Sequence, residues 1–341
     1  MTHEPTEEQE DRRRQRQAVW ARHWASGAVH SCAGSYDDTY GGAIASFWRG
    51  VAAAWAPGGR VLDIATGSGA LPRLLHGLSH GMLHGLAADL ALQLDAVDLA
   101  PVQPAWWQAL PAADQTRLRF HGGVAAEALP FADGQFDAVV SQYGLEYADL
   151  PRAVAELLRV RAPRGQVALV LHHAASRPVT LAAVEMAHIG WLRSAEGLLP
   201  TARAMLAPMA QAATPAGRAS LAANVNAIAR RKRFNAAQEA LLGRLSVPDG
   251  ADVLQEARAA VHQLFAQAQQ QGGAAAEAAW SALDAALADA HWRLDELRRC
   301  ALAPAAAQHL CDLLRPALPH IGLTVLQEGP HNMGWALTAR P

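Results

Sequence analysis

The sequence predicts an α/β fold in which short buried strands alternate with helices and build a mostly parallel sheet with a ligand site at one edge. Three observations predict it. The apolar run Val61-Leu62-Asp63-Ile64 breaks into the turn Ala65-Thr66-Gly67-Ser68-Gly69 and restarts as an apolar-periodic helical segment over 70–78. A second apolar run, 92–99, ends on the acidic Asp98. Further strand-like runs then follow at intervals that suit intervening helices.

The first strand and its turn would present bare backbone N–H groups at the carboxyl edge of the sheet, where α/β folds bind ligands. The turn holds only Gly67 and Gly69 and follows an acidic residue, so it departs from the Gly-x-Gly-x-x-Gly of dinucleotide sites. A carboxylate there repels a pyrophosphate and favours a cation. Asp98, at the tip of the second strand, suits the two hydroxyls of a ribose. Residues 118–120 read as the third strand, 126–131 as a loop, 133–141 as a turn running into the fourth strand and 165–171 as the fifth. Near the end of the chain, 322–326 and 335–338 alternate like strands around the turn-rich 328–332.

These pieces, in this order, resemble the class I S-adenosylmethionine-dependent methyltransferases, whose first motif is a strand followed by Asp/Glu-x-Gly-x-Gly-x-Gly. Ala65 stands at the first glycine of that motif, and Ala125 stands where relatives carry Asp or Asn for the adenine amine. The resemblance covers residues 36–173 and the terminal hairpin. It implies a Rossmann-like seven-stranded sheet with an antiparallel last strand, and S-adenosylmethionine as cofactor. The residues it points to for cofactor binding are Tyr36, Tyr40, Asp63, Ala65, Thr66, Gly67, Gly69, Asp98, Leu99, Ala126, Glu127, Ser141 and Gln142. Tyr36 and Tyr40 would close the site by placing a ring face near a sulfonium.

Between the fifth strand and the hairpin lies a stretch far longer than one connecting helix. It is rich in Ala, Leu, Gln, Glu and Arg and is punctuated by prolines, which predicts a large helical insertion between strands five and six. Leu283, Leu287, Leu294 and Leu297 form an apolar stripe within it. The insertion would roof the acceptor, pair two chains as a homodimer, or both. The expected organisation is a disordered tail over 1–17, a helical cap over 18–56, the cofactor-binding core over 57–175, the insertion over 176–319 and the hairpin over 320–341. Within the cap, Trp20, Trp24 and Trp48 are expected to pack against the sheet.

The chain has 341 residues, a formal net charge of −2 and three cysteines without metal or redox spacing. No stretch reaches the roughly 18 apolar residues of a membrane span. A cytoplasmic protein without membrane or nucleic-acid partners is the expectation, with the basic run Arg230-Arg231-Lys232-Arg233 as a solvated face. No metal site is expected, and His76, His80 and His84 are read as another solvated helix face.

Methyl transfer from a sulfonium needs chiefly alignment, and a hydroxyl or amine acceptor also needs a base. The positions for such a base are Gln142, Tyr143, Glu146 and Tyr147 after the fourth strand and His172 and His173 after the fifth, with His121 as a weaker one. His172, His173, Tyr143 and Glu146 form the catalytic set. A small-molecule acceptor is the leading reading, and an RNA or protein acceptor stands beside it. A non-catalytic module that binds the same cofactor, or a nicotinamide-dependent oxidoreductase, are readings of other kinds.

Overall fold

The computed structural model describes residues 7–30, 40–79, 90–246 and 249–341. The chain divides into two compact units, 1–179 with 300–341, and 180–299.

The first unit is built on a seven-stranded sheet. Its strands are β1 (Arg60–Ile64), β2 (Gln93–Asp98), β3 (Leu118–Gly122), β4 (Phe136–Gln142), β5 (Arg161–Leu171), β6 (His320–Glu328) and β7 (His331–Arg340). The order is β3-β2-β1-β4-β5-β7-β6. Strands β1 to β5 run parallel, and β7 pairs antiparallel with both β5 and β6. The central strands read as continuous apolar runs because both of their faces are covered. Leu62, Val139, Val140, Leu169, Val170 and Leu171 are all fully buried. The strand order reverses at β1, between β2 and β4, so a crevice opens there at the carboxyl edge.

Local chemistry fixes that edge. Ser141, at the end of β4, donates its hydroxyl to the Ile64 carbonyl at 2.7 Å and accepts from the Leu145 N–H at 3.1 Å, which staples β4 to β1. Ala65 and Tyr143, the residues that leave β1 and turn off β4, both sit at positive φ, +58° and +54°. Ala65 therefore holds the left-handed conformation that the missing glycine would adopt without strain. Its methyl group lies against Gly144, where an added Cβ would come within 2.5 Å of it.

Three helices precede or follow these strands early in the chain: α1 (Glu7–Ala25), α2 (Gly42–Ala52) and α3 (Ala70–Ser79). The extent of α1 corrects the expected tail, because residues 7–17 are helical. Glu7, Glu8 and Glu10 lie in its first turn, where the helix dipole favours acids, and the arginines follow. On α3, His76 is buried rather than solvated, since Leu71, Leu74 and Leu75 sink this helix against the sheet. His80 and His84 lie outside the described residues.

A second correction concerns the end of the insertion. The helix Pro304–Leu314 belongs to the first unit: Ala307, Leu310, Cys311 and Leu314 are buried in one cluster with Leu157, Leu169 and Leu337. Their three- and four-residue spacing is a core-facing stripe. The chain also returns beside the place it left, because the Leu302 N–H donates to the His172 carbonyl at 2.8 Å and the Ala174 N–H donates to the Leu302 carbonyl at 3.0 Å.

The second unit is helical, with long helices Val225–Leu245, Ala251–Gln271 and Gly273–Cys300. Leu206, Leu264, Ala268 and Ala276 form one of its cores, and Leu283 packs against it. Leu287, Leu294 and Leu297 are buried. Arg230, Arg231, Lys232 and Arg233 are exposed on the helix Val225–Leu245, and Arg233 reaches Glu196 at 2.8 Å. Among the described residues no helix is long and apolar enough to cross a membrane, and no group of three or more His, Cys, Asp or Glu could hold a metal ion.

Replacing Gly144 by Ala forces a methyl group onto Ala65 and its carbonyl. Overpacking of this kind costs about 1–3 kcal/mol, so a urea melt of Gly144→Ala is expected to show a lower midpoint with an unchanged slope.

Candidate active site

The turn between β1 and α3 is held from below by a carboxylate. Asp98 accepts from the Gly67 N–H and from the Ala100 N–H, each at 2.8 Å, one on each oxygen. This fixes the tip of β2 to the glycine turn, and the Thr66 N–H adds a bond to the Val97 carbonyl at 2.9 Å. Gly67 and Gly69 have φ of +57° and +79°, which glycine adopts at no steric cost. Both are also tightly covered: a Cβ on Gly67 would meet the Trp24 ring at 2.7 Å, and one on Gly69 would meet Phe120 at 2.5 Å.

The two strand-tip carboxyls share a dry environment. Asp63 on β1 is buried, and its oxygens have no well-formed hydrogen bond among the described residues. Burial pushes its carboxyl up to about 8, opposed by the nearby Thr66 hydroxyl and reinforced by the charge of Asp98. Burial also pushes Asp98 up, to about 6, against the pull of the Ala100 and Gly67 N–H groups. Such a pair is at odds with its surroundings until a cation or a proton arrives.

Beside this pair lies a cavity of about 370 Å³. Ala65, Thr66, Gly67, Asp98 and Leu99 line its floor, Ala126 and Glu127 one side, and Gln142 and Tyr143 another. Tyr40 also lines it, while Tyr36 lies outside the described residues. The Ala126–Glu127 loop is held by Arg159, which donates to the Leu129 carbonyl at 2.9 Å and the Phe131 carbonyl at 2.7 Å. Glu156 completes the clamp by accepting from the Leu129 N–H at 2.7 Å, and the Arg159 guanidinium draws its carboxyl below the ordinary range.

Asp63, Gly69, Ser141, Glu146, His172 and His173 do not line the cavity. Glu146 and His172 are buried together: one Glu146 oxygen lies 2.7 Å from His172 Nδ1 and accepts from the His172 N–H at 2.8 Å. The His172 ring stacks on Tyr143 at 4.3 Å between centroids. The Tyr143 hydroxyl, in turn, donates to the Met333 carbonyl at 2.7 Å. Adjacent strand residues point to opposite sides, and His173 accordingly packs its ring on Trp335 at 4.4 Å and accepts from the Ala175 N–H. His121 pairs with Asp95 at 2.8 Å.

Helix α1 forms the roof. Arg12, Arg16, Trp20 and Trp24 recur every four residues, and all four line the cavity. Trp20 and Trp24 stack at 5.1 Å, Gln17 donates to the Leu99 carbonyl at 3.0 Å, and Arg16 donates to the Tyr147 carbonyl. Of the tryptophans expected to pack against the sheet, Trp48 is the fully buried one, and its Nε1–H donates to the Gln142 side-chain oxygen at 2.6 Å. The part of α1 before residue 18 was missed because its polarity reads as a tail. The four-residue recurrence of Arg12, Arg16, Trp20 and Trp24 is the signal that reveals it.

Residues 62–169 match a family model described as a methyltransferase domain. An uncharacterized protein of Mycobacterium tuberculosis is 36% identical over 122 residues, which is 35% of this chain and 39% of that protein. The demethylmenaquinone methyltransferase of Thermus thermophilus is 35% identical over 112 residues, 33% of this chain and 46% of that enzyme. The chain thus spans less than half the length of these two curated relatives. Among solved structures, geranyl diphosphate C-methyltransferase from Streptomyces coelicolor is 17% identical, with 46% of this chain and 65% of that chain covered at a TM-score of 0.35. The matched segment runs from β1 into β5 and contains both acidic strand tips and the glycine turn. Residues 62–169 are therefore assigned to a methyltransferase domain.

Proposed function

We propose that the chain is an enzyme that transfers a methyl group from S-adenosylmethionine to a small-molecule acceptor held in the cavity under α1. The observation that carries this reading is the buried carboxyl pair, Asp63 and Asp98, on neighbouring strands beside a cavity that Asp98 lines. A cofactor that bears an ammonium and a sulfonium fits two carboxyls whose ionised forms are disfavoured by burial. Asp98 retains a second acceptor direction on each oxygen for ribose hydroxyls. Ala126 and Glu127 would edge the adenine, and Tyr40 and Tyr143 would flank the reacting end. The small-molecule part draws support from the aromatic side chains that line the cavity, Trp20, Trp24, Tyr40, Tyr143 and Tyr147. It also draws on relatives whose names specify demethylmenaquinone and 2-phytyl-1,4-naphtoquinone as what they methylate.

When bound, S-adenosylmethionine supplies an activated methyl group with a good leaving group. This chain's own residues then have to align the acceptor within roughly 3 Å and keep water out. Tyr143 is the wall residue for that task. Glu146 and His172 are positioning residues: they hold the Tyr143 ring from behind and act through it.

Three outcomes test the reading. Asp98→Ala is expected to weaken S-adenosylhomocysteine binding by about 1–3 kcal/mol in calorimetry, and unchanged affinity would remove Asp98 from the site.

The pH dependence follows from the raised carboxyls. The stability that Asp63 and Asp98 contribute to the free protein is full below their unfolded values near about 4. It is lost as pH rises through about 6 and about 8. A cationic ligand favours the ionised forms, so S-adenosylmethionine affinity is expected to rise from pH 5 to about 8 with proton release. Calorimetry in buffers of different ionisation enthalpy measures that release, and a flat profile contradicts the cationic pairing.

His172→Ala removes one partner of a buried pair and is expected to cost about 3 kcal/mol of stability. In the folded fraction a fall in kcat with cofactor affinity retained is the mark of a positioning role. Loss of cofactor binding instead would place His172 at the cofactor.

A further inference from the structure

We propose that the acceptor is a flat molecule carrying an oxyanion, and that Arg13 and Arg152 hold that group at the outer end of the cavity. This rests on the methyl-transfer reading of the same site and goes beyond it by naming the acceptor's chemistry. Arg12, Arg13 and Arg16 of α1 and Arg152 of the helix Leu150–Val160 all line the cavity. Arg12 and Arg16 already have partners within the protein, which leaves Arg13 and Arg152 to meet a ligand.

Carboxylates line the same cavity, three of them accepting from backbone N–H groups and the fourth, Glu10, facing Arg14. Asp98 is held by the Gly67 and Ala100 N–H groups, Glu127 accepts from the Asp149 N–H at 2.9 Å, Asp149 accepts from the Arg152 N–H at 3.2 Å, and Glu10 lies 3.7 Å from Arg14. On the basic side, Arg16 is committed to the Tyr147 carbonyl and stands 6.0 Å over the Tyr147 ring. Among the described residues, Arg13 and Arg152 pair with no carboxylate. They come from two different elements and are exposed at the cavity's outer end.

A guanidinium fork matches the planar pair of oxygens of a carboxylate, or two oxygens of a phosphate. In the same cavity, Trp20 and Tyr147 meet edge to face at 6.2 Å. An apolar aromatic wall beside a cationic rim suits an aryl or similarly flat body with the anion at its edge.

The test titrates the full chain, with and without saturating S-adenosylhomocysteine, with benzoate, phenyl phosphate and the neutral benzamide, followed by tryptophan fluorescence. At least one acid is expected to bind about tenfold or more tightly than benzamide and to weaken as sodium chloride is raised. The tighter of the two acids identifies the oxyanion as carboxylate or phosphate. In the double variant Arg13→Gln/Arg152→Gln that affinity is expected to drop about tenfold or more, while S-adenosylhomocysteine affinity moves by less than about twofold. Benzamide binding as tightly as both acids, or an acid affinity unchanged in the double variant, overturns the proposal. Failure of S-adenosylhomocysteine to bind the unaltered chain sinks the methyl-transfer reading instead, and the titration without it still decides the oxyanion site.

Discussion

The bond pair from Asp98 to the Gly67 and Ala100 N–H groups is the constraint on which the rest of the site depends. It ties the tip of β2 to the turn after β1, so the turn is shaped by a neighbouring strand as well as by its own glycines. Because both oxygens accept from backbone, the carboxyl stays fixed in position although burial works against its charge. Asp63, one strand over, lacks that help and is held further from its ordinary ionisation. The two carboxyls together place two groups whose ionisation burial opposes at the one place where the strand order reverses and the sheet edge opens.

Around that point the wall is assembled from side chains that brace one another. Ser141 staples β4 to β1 and thereby sets where Tyr143 turns off the strand. Glu146 fixes His172, His172 supports the Tyr143 ring, and the Tyr143 hydroxyl is anchored to the hairpin at Met333. Arg159 and Glu156 do similar work on the opposite side by clamping the loop that carries Ala126 and Glu127. The cavity is thus shaped by hydrogen bonds that run behind its surface.

Much of this was legible in the sequence. The strands, the acidic tips and the hairpin follow from apolar runs bounded by turn residues, since buried central strands leave little ambiguity of period. Histidine orientation was not legible, because alternation says that His172 and His173 face opposite ways but not which, if either, meets the cavity. Residues 7–17 read as a tail for a physical reason: the helix they begin covers a cavity, so its inward face carries arginine where an apolar stripe would be sought. The helix Pro304–Leu314 was assigned to the insertion because its flanking prolines resemble those before it, although its buried face points to the sheet's own core.

The backbone bonds that join Leu302 to His172 and Ala174 have a wider meaning. They close a neck: the polypeptide departs and re-enters through a gap spanned by two hydrogen bonds, so the sheet's connectivity is complete without the 120 or so residues in between. A segment attached in this way is a cassette. A change in its length would leave the neck, and with it the sheet's connectivity, in place.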